Sequence, residues 1–208
     1  MEHFSKTSRA IVDDILKHDP IGATWAGVHD YDAQIPDVSL QGFADDQTRA
    51  KKHLTTLRAW DVAQLPPHEQ IDWNLLVSKF EVDLRELAEL EPQRHEPSLY
   101  PDTAISAIYS LLARDYAPLA ERLPALESRL QKLPQIFAAG KTNLERSPKI
   151  WTEIAIEETE GGAEFLRHTV GPIAQQHPAL QPSLAKALAA SADYAEFLRS
   201  RQLQRDGM

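Results

Sequence analysis

The sequence holds no cysteine, so disulfides, thiolate zinc sites and a cysteine nucleophile are excluded, and a reducing compartment is weakly favoured. Glycine is scarce, with 8 in 208 residues, and the alternating apolar/polar runs of half-buried strands are hard to find. Long apolar runs are missing as well. No segment approaches the roughly 18 apolar residues of a membrane span. Glu2, Lys6, Arg9, Asp13 and Asp14 interrupt the stretch from Met1 to Pro20, so no signal peptide is read there. The expected address is the cytoplasm. There is no Lys/Arg-rich run, and 31 acidic against 22 basic residues give a net charge of -9. A field of that sign repels phosphate backbones, so neither nucleic acid nor a membrane is an expected partner.

What is present is helical periodicity. Apolar residues recur every three or four positions, which predicts an all-α fold: about nine helices in an antiparallel, bundle-like array forming one domain over 1–208. A chain of this length buries roughly 70% of its unfolded surface and needs no staples. Phe4 to Lys17 reads as the first helix. Asp19-Pro20 is a restart signal, an N-cap acceptor followed by proline at the first helical position. A loop is expected from His29 to Val38, a helix capped by Ser39 to about Trp60, and another from Pro66-Pro67. In that one, Trp73, Leu76, Phe80, Leu84 and Leu87 form one apolar stripe. Pro92 to Pro101 reads as a connector, with Asp102 capping the next helix. Further helices are expected from Pro118, Pro134 and Ser147-Pro148, with Pro124 kinking or shortening the first. The last runs from Ser183 to Leu203.

The chemistry-bearing motifs are incomplete. His68-Glu69-Gln70-Ile71-Asp72 approaches the zinc motif H-E-x-x-H, but Asp72 stands where the second imidazole is needed, and no zinc site follows. Gly140-Lys141-Thr142 imitates the end of a phosphate loop; Gln135 occupies the first glycine's place, so Gly140 reads as a helix terminator. Glu153, Glu157, Glu160, Glu164 and His168 share one helical stripe, which reads as a solvated face rather than a metal site. Glu158 differs. It falls in the otherwise apolar stripe Trp151, Ala155, Gly162 and Phe165, where a carboxylate needs an Arg partner or a ligand. The mid-helix pair Gly161-Gly162 predicts close approach of another element.

Two stretches carry a resemblance. The block from Tyr109 through Arg114-Asp115-Tyr116 to Pro118, followed by Glu121-Arg122 and Ser128-Arg129-Leu130-Gln131-Lys132-Leu133-Pro134, resembles the bacterial domain-of-unknown-function 885 (DUF885) family. The run Asp19 to Asp32 is similar to that family's N-terminal segment, as is Thr152 to Glu157 with Gly161-Gly162 and Phe165-Leu166. The resemblance implies kinship with helical zinc metallopeptidases, whose H-E-x-x-H helix lies in a C-terminal half. N-terminal helices there form one wall of a substrate channel. No H-E-x-x-H occurs here, so no catalytic residue, metal ligand or cofactor is assigned to this chain. Zinc, and a peptide substrate, are expected only with the C-terminal half.

The resulting expectation is a channel-wall module, inactive alone and completed by a C-terminal half or partner polypeptide. The alternative is a stand-alone helical interaction module, with a homodimer as one form of it. Both require an exposed apolar surface. The candidate substrate contacts are Tyr109, Arg114, Asp115, Tyr116 and Glu158, with a capping and packing corner as the competing reading of Arg114-Asp115.

Overall fold

Short polar side chains and prolines set where the helices begin in the computed structural model, which describes residues 3–206. Met1, Glu2, Gly207 and Met208 lie outside the described residues. Helix α1 (Phe4–His18) stops at Asp19, whose carboxylate accepts from Gly22 N at 2.9 Å, and α2 (Pro20–Trp25) restarts with proline at its first position. The stretch 26–38 holds no helix. Ser39 Oγ then accepts from Gly42 N at 3.0 Å and opens α3 (Leu40–Arg58).

Helix α4 (Pro67–Arg85) runs on through a π turn (Glu86–Leu90) and ends at Glu91, whose φ of 45° lies in the left-handed region. There follow α5 (Pro92–His95), α6 (Leu99–Leu112), α7 (Leu119–Asn143) and α8 (Lys149–Phe165). A second π turn (Leu166–Val170) leads into α9 (Gly171–Gln176), and α10 (Gln181–Asp206) closes the fold. Contiguous segments joined, there are eight helices and no strand among the described residues, so the fold is all-α.

Two apolar clusters organise these elements. The larger is built by α6, α7, α8 and α10, around Tyr100, Ile108, Leu111, Leu126, Leu130, Leu133, Ile136, Tyr194 and Leu198. Its four helices close a ring in the order α6, α7, α10, α8. Ala107 and Ser110 meet Arg129 while Tyr100 meets Gly140, so α6 and α7 run antiparallel. Along α7 and α10 the contacts advance together (Phe137 with Tyr194, Lys141 with Phe197, Leu144 with Arg201), and those two run side by side in one direction. The smaller cluster joins α1, α3 and α4 through Phe4, Ile11, Leu54, Leu57, Val77 and Phe80.

Several local expectations change. Asp102 does not cap its helix: α6 begins at Leu99, and Asp102 and Pro101 fall in its first turn, where a missing N–H costs nothing. Pro134 opens no new helix, and Pro124 shortens none; both lie inside the 25-residue α7. That helix is held by α6 along one side and α10 along the other, and this packing outweighs the local loss of hydrogen bonds. Gly140 is not a terminator either. It lies within α7, where a Cβ would stand 2.7 Å from the Tyr100 ring and 2.9 Å from that of Tyr194. At Gly162 the expected close approach is found, since a Cβ there would meet the Ile105 side chain at 2.6 Å.

Candidate functional site

The four candidates at the end of α6 fall together at one corner, where they tie α2, the 26–38 stretch and α7 to the end of α6. Tyr109 is half exposed between Trp25 and Phe165, with both ring centroids 6.0 Å away. Arg114 lies 5.1 Å over the Trp25 ring and donates to the Trp25 carbonyl at 3.2 Å. Asp115 points to solvent and pairs at 2.9 Å with Arg122. Arg122 is buried and also donates to the Leu111 and Arg114 carbonyls at 2.9 and 3.0 Å, closing the C-terminal end of α6. Tyr116 stacks on His29 at 3.7 Å and donates to Asp32 Oδ2 at 2.7 Å.

At the centre of this corner is Arg129, a residue that no motif reading singled out. Its side chain is fully buried, and all five of its N–H donors have acceptors. Nε donates to Gln34 O (2.9 Å), Nη1 to Ala107 O (2.7 Å) and Ser110 Oγ (2.9 Å), and Nη2 to Pro20 O (3.0 Å) and Thr24 Oγ1 (2.9 Å). Thr24 in turn donates to Asp32 Oδ1 at 2.6 Å. Asp32, itself buried, also takes the Tyr116 hydroxyl and the His29 Nδ1 proton, the latter at 2.9 Å. An ionised carboxylate only accepts, which fixes the imidazole's proton on Nδ1. Burial lowers the Arg129 pKa, opposed by the charges of Asp32, Tyr116 and Asp19; burial and Asp32 hold the Tyr116 phenol well above its ordinary value. The arrangement is a sealed polar lock joining α2, the 26–38 stretch, α6 and α7. Its sequence signal was the resemblance itself, since Arg129 and Asp32 lie in the stretches that carry it.

Glu158 lies apart from this corner, on α8. It is half-buried, and its Oε2 is buried without a hydrogen-bond partner, so the expected Arg is not at that oxygen. Its neighbours are other acids. Burial raises the Asp102 carboxyl above its ordinary value and the Glu158 charge raises it further. Glu96 is raised by burial first, then by Asp102, Glu86 and Glu158.

Beside this acidic group opens a cleft of about 590 Å³ lined by Glu86, Leu90, Pro92, His95, Glu96, Arg146 and Trp151, among others. Trp151, which belongs to the otherwise apolar stripe of α8, is 46% exposed at the cleft. Ile150 and Ile154 beside it are 57% and 41% exposed, and Leu90 across the cleft is 65% exposed. Ile71, Leu75 and Val82 on α4 are exposed as well. At 100° per residue, positions 71, 75, 82 and 86 fall within roughly 60° of each other, so they form one seam leading along α4 into the cleft.

His68 is exposed in the first turn of α4, and among the described residues no group of three or more His, Asp or Glu side chains is placed to hold a metal ion. In the acidic stripe of α8, Glu160 pairs with Arg199, and Glu164 pairs with Arg167 at 2.5 Å and His168 at 3.1 Å. No helix among the described residues is long and apolar enough to cross a membrane.

No curated protein matches the sequence. Among solved structures the chain is similar to "a putative lipoprotein of unknown function from Shewanella oneidensis", with a TM-score of 0.86 at 19% identity. The match covers 100% of this chain and 39% of that one, so the chain spans well under half the length of this neighbour, and the likeness is one of fold. The bacterial proteins of unknown function grouped as DUF885 match over residues 20–207, which include the Arg129 lock, the α4 seam and the cleft. The chain belongs to the DUF885 family.

Proposed function

We propose that this chain is a structural wall module: a rigid helical body, without a catalytic centre of its own, that works by packing against a larger polypeptide body. The observation that carries this reading is that the whole chain superposes on 39% of a larger fold. The exposed apolar side chains Ile71, Leu75, Val82 and Leu90, with Ile150, Trp151 and Ile154, support it, because a gathering of large exposed apolar residues marks an interaction face. The resemblance to zinc-metallopeptidase relatives gives the larger body its chemistry in this proposal. It would hold the zinc and the general base, and these helices would form one side of a peptide channel. The candidates Tyr109, Arg114, Asp115, Tyr116 and Glu158 enter the proposal as wall residues. The first four stabilise the corner, and Glu158 contributes negative charge. The cytoplasmic address belongs to the same proposal and is checked by cell fractionation.

The test is to incubate the purified chain with a mixture of fluorogenic peptides and added Zn²⁺, and to measure bound metal by elemental analysis. The expected result is no cleavage above background and no stoichiometric zinc. Zinc bound at one per chain, with cleavage abolished by a chelator, would overturn the reading.

A further inference from the structure

The groove between α1 and α3 and the Asp32–His29–Tyr116 cluster are occupied by their own side chains, whereas the α4–α8 seam is open. The groove beside α1 is lined by Lys6, Arg49, Lys52, His53 and Trp60, but Arg49 is engaged by Asp46 and His53 by Asp14. The Asp32 cluster is internally satisfied, with Thr24, His29 and Tyr116 all bonded to its carboxylate.

Three features of the seam converge. It carries exposed apolar side chains over a long span: Ile71, Leu75, Val82 and Leu90 are spread along 19 residues, roughly 28 Å at 1.5 Å per residue, with Ser78, Lys79 and Glu86 between them, and the span ends in a cleft walled by Trp151. It is also where the chain's negative charge is concentrated. Residues 67–90 and 149–165 together carry 11 Asp/Glu against 3 Lys/Arg, which is -8 of the chain's net -9. Finally, the C-terminal part of α10 is fastened beside the cleft. Arg201 donates to the Leu144 carbonyl at 2.7 Å and to that of Glu145, immediately before the cleft residue Arg146. His95 Nδ1 and Arg146 O, both on the cleft wall, meet at 3.0 Å.

We infer that the seam seats one amphipathic helix of the larger polypeptide body that the wall reading requires, as the larger neighbouring fold suggests. That helix lays apolar side chains between Leu90 and Trp151 and along α4, and its flanking Lys/Arg residues face Glu86, Glu96 and the acids of α8. This deepens the wall reading and rests on it. Apolar residues at i, i+3, i+4 and i+7 supply the packing, and the basic flank supplies register and selectivity against acidic helices. A second copy of this chain fits poorly, because Glu86, Glu96 and Glu158 would be opposed to the same acids of the other copy.

The probes are two synthetic 18-residue amphipathic helices with the same leucine face, one with a lysine flank and one with a glutamate flank. Each is titrated into the full chain at low salt and followed by hydrogen exchange. The expected result is slowed exchange at 86–96 and 146–158 with the lysine peptide and at least tenfold weaker binding of the glutamate peptide. In the double variant Leu90→Ser, Trp151→Ser, both positions being exposed, affinity for the lysine peptide should fall at least fivefold with the circular dichroism unchanged. Equal binding of both peptides, protection elsewhere, or undiminished binding by the variant would overturn the assignment while leaving the wall reading in place. Concentration-dependent protection of the same stretches without peptide, with a dimer mass by light scattering, would overturn it in favour of self-association. Chelator-sensitive peptidase activity in the chain alone would instead overturn the wall reading.

Discussion

Replacing Arg129 by alanine should be among the most damaging single changes in this protein. The substitution removes five hydrogen bonds from a fully buried site and the guanidinium charge near buried Asp32. These losses do not simply add. Ser110 Oγ also approaches the Ala107 carbonyl, whereas the single Thr24 hydroxyl proton goes to Asp32 and leaves the Pro20 carbonyl uncompensated. The cost therefore concentrates on the Gln34 and Pro20 carbonyls, on Asp32 and on the cavity left by the side chain. Removing one member of a buried charged network costs about 3–5 kcal/mol. Against a domain stability of roughly 5–15 kcal/mol that is about a fifth of the total or more. At about 2–4 °C per kcal/mol for a chain of this size, the melting temperature should fall by roughly 6–20 °C. Thermal and urea unfolding followed by circular dichroism measure it, and hydrogen exchange should show the 26–38 stretch opening first. Arg129→Lys keeps the charge but only three donors, so it should fall in between, at about 2–3 kcal/mol. A loss under about 1 kcal/mol for the alanine variant, or exchange rising evenly across the chain, would refute the idea that Arg129 fastens this corner.

Adjacent glycines on α8 should respond oppositely. Gly161→Ala, with open space around the added Cβ, should stabilise by up to about 1 kcal/mol, whereas Gly162→Ala drives a Cβ into Ile105 and should destabilise by about 1–3 kcal/mol; equal effects in urea unfolding would contradict the packing of α8 on α6. Glu158→Gln should raise stability at neutral pH. Burial and then the Glu158 charge hold the Asp102 carboxyl above its unfolded value of 3.8, so the folded state binds the extra proton and stability declines as pH rises from 3.8 through the raised folded pKa. Removing the charge should flatten that decline, and a pH–stability curve unchanged by the substitution would refute the coupling. Asp14 should act in the other sense. Burial raises its carboxyl pKa but is outweighed by the His53 hydrogen bond and the charges of His18, His53 and Arg49, leaving it below 3.8. Its contribution is therefore present above pH 3.8 and lost as pH falls through the lower folded value, and Asp14→Asn should remove that acid limb from the unfolding profile.

The sequence alone determined the class of fold and many helix starts, because those depend on neighbours a few residues apart. Ser39 and Asp19 cap as their side chains dictate, and the stripe through Trp73, Leu76, Phe80 and Leu84 packs on the smaller cluster as its period requires. Family membership was legible too, in the blocks around Tyr109–Pro134 and Asp19–Asp32. Tertiary structure decided whatever depended on a partner far along the chain. Pro134 and Gly140 read locally as a start and a stop, yet packing between α6 and α10 carries one helix through both, and Gly140 is kept bare by two tyrosine rings. Glu158 was visible as an anomaly, but only the fold set it beside Asp102 and Glu96 rather than an arginine. Arg129 gave no local signal, since a lone arginine on a helix is ordinarily solvated. Its role arises because Pro20, Gln34, Ala107 and Ser110, separated by up to 109 positions, converge on it once the chain has folded.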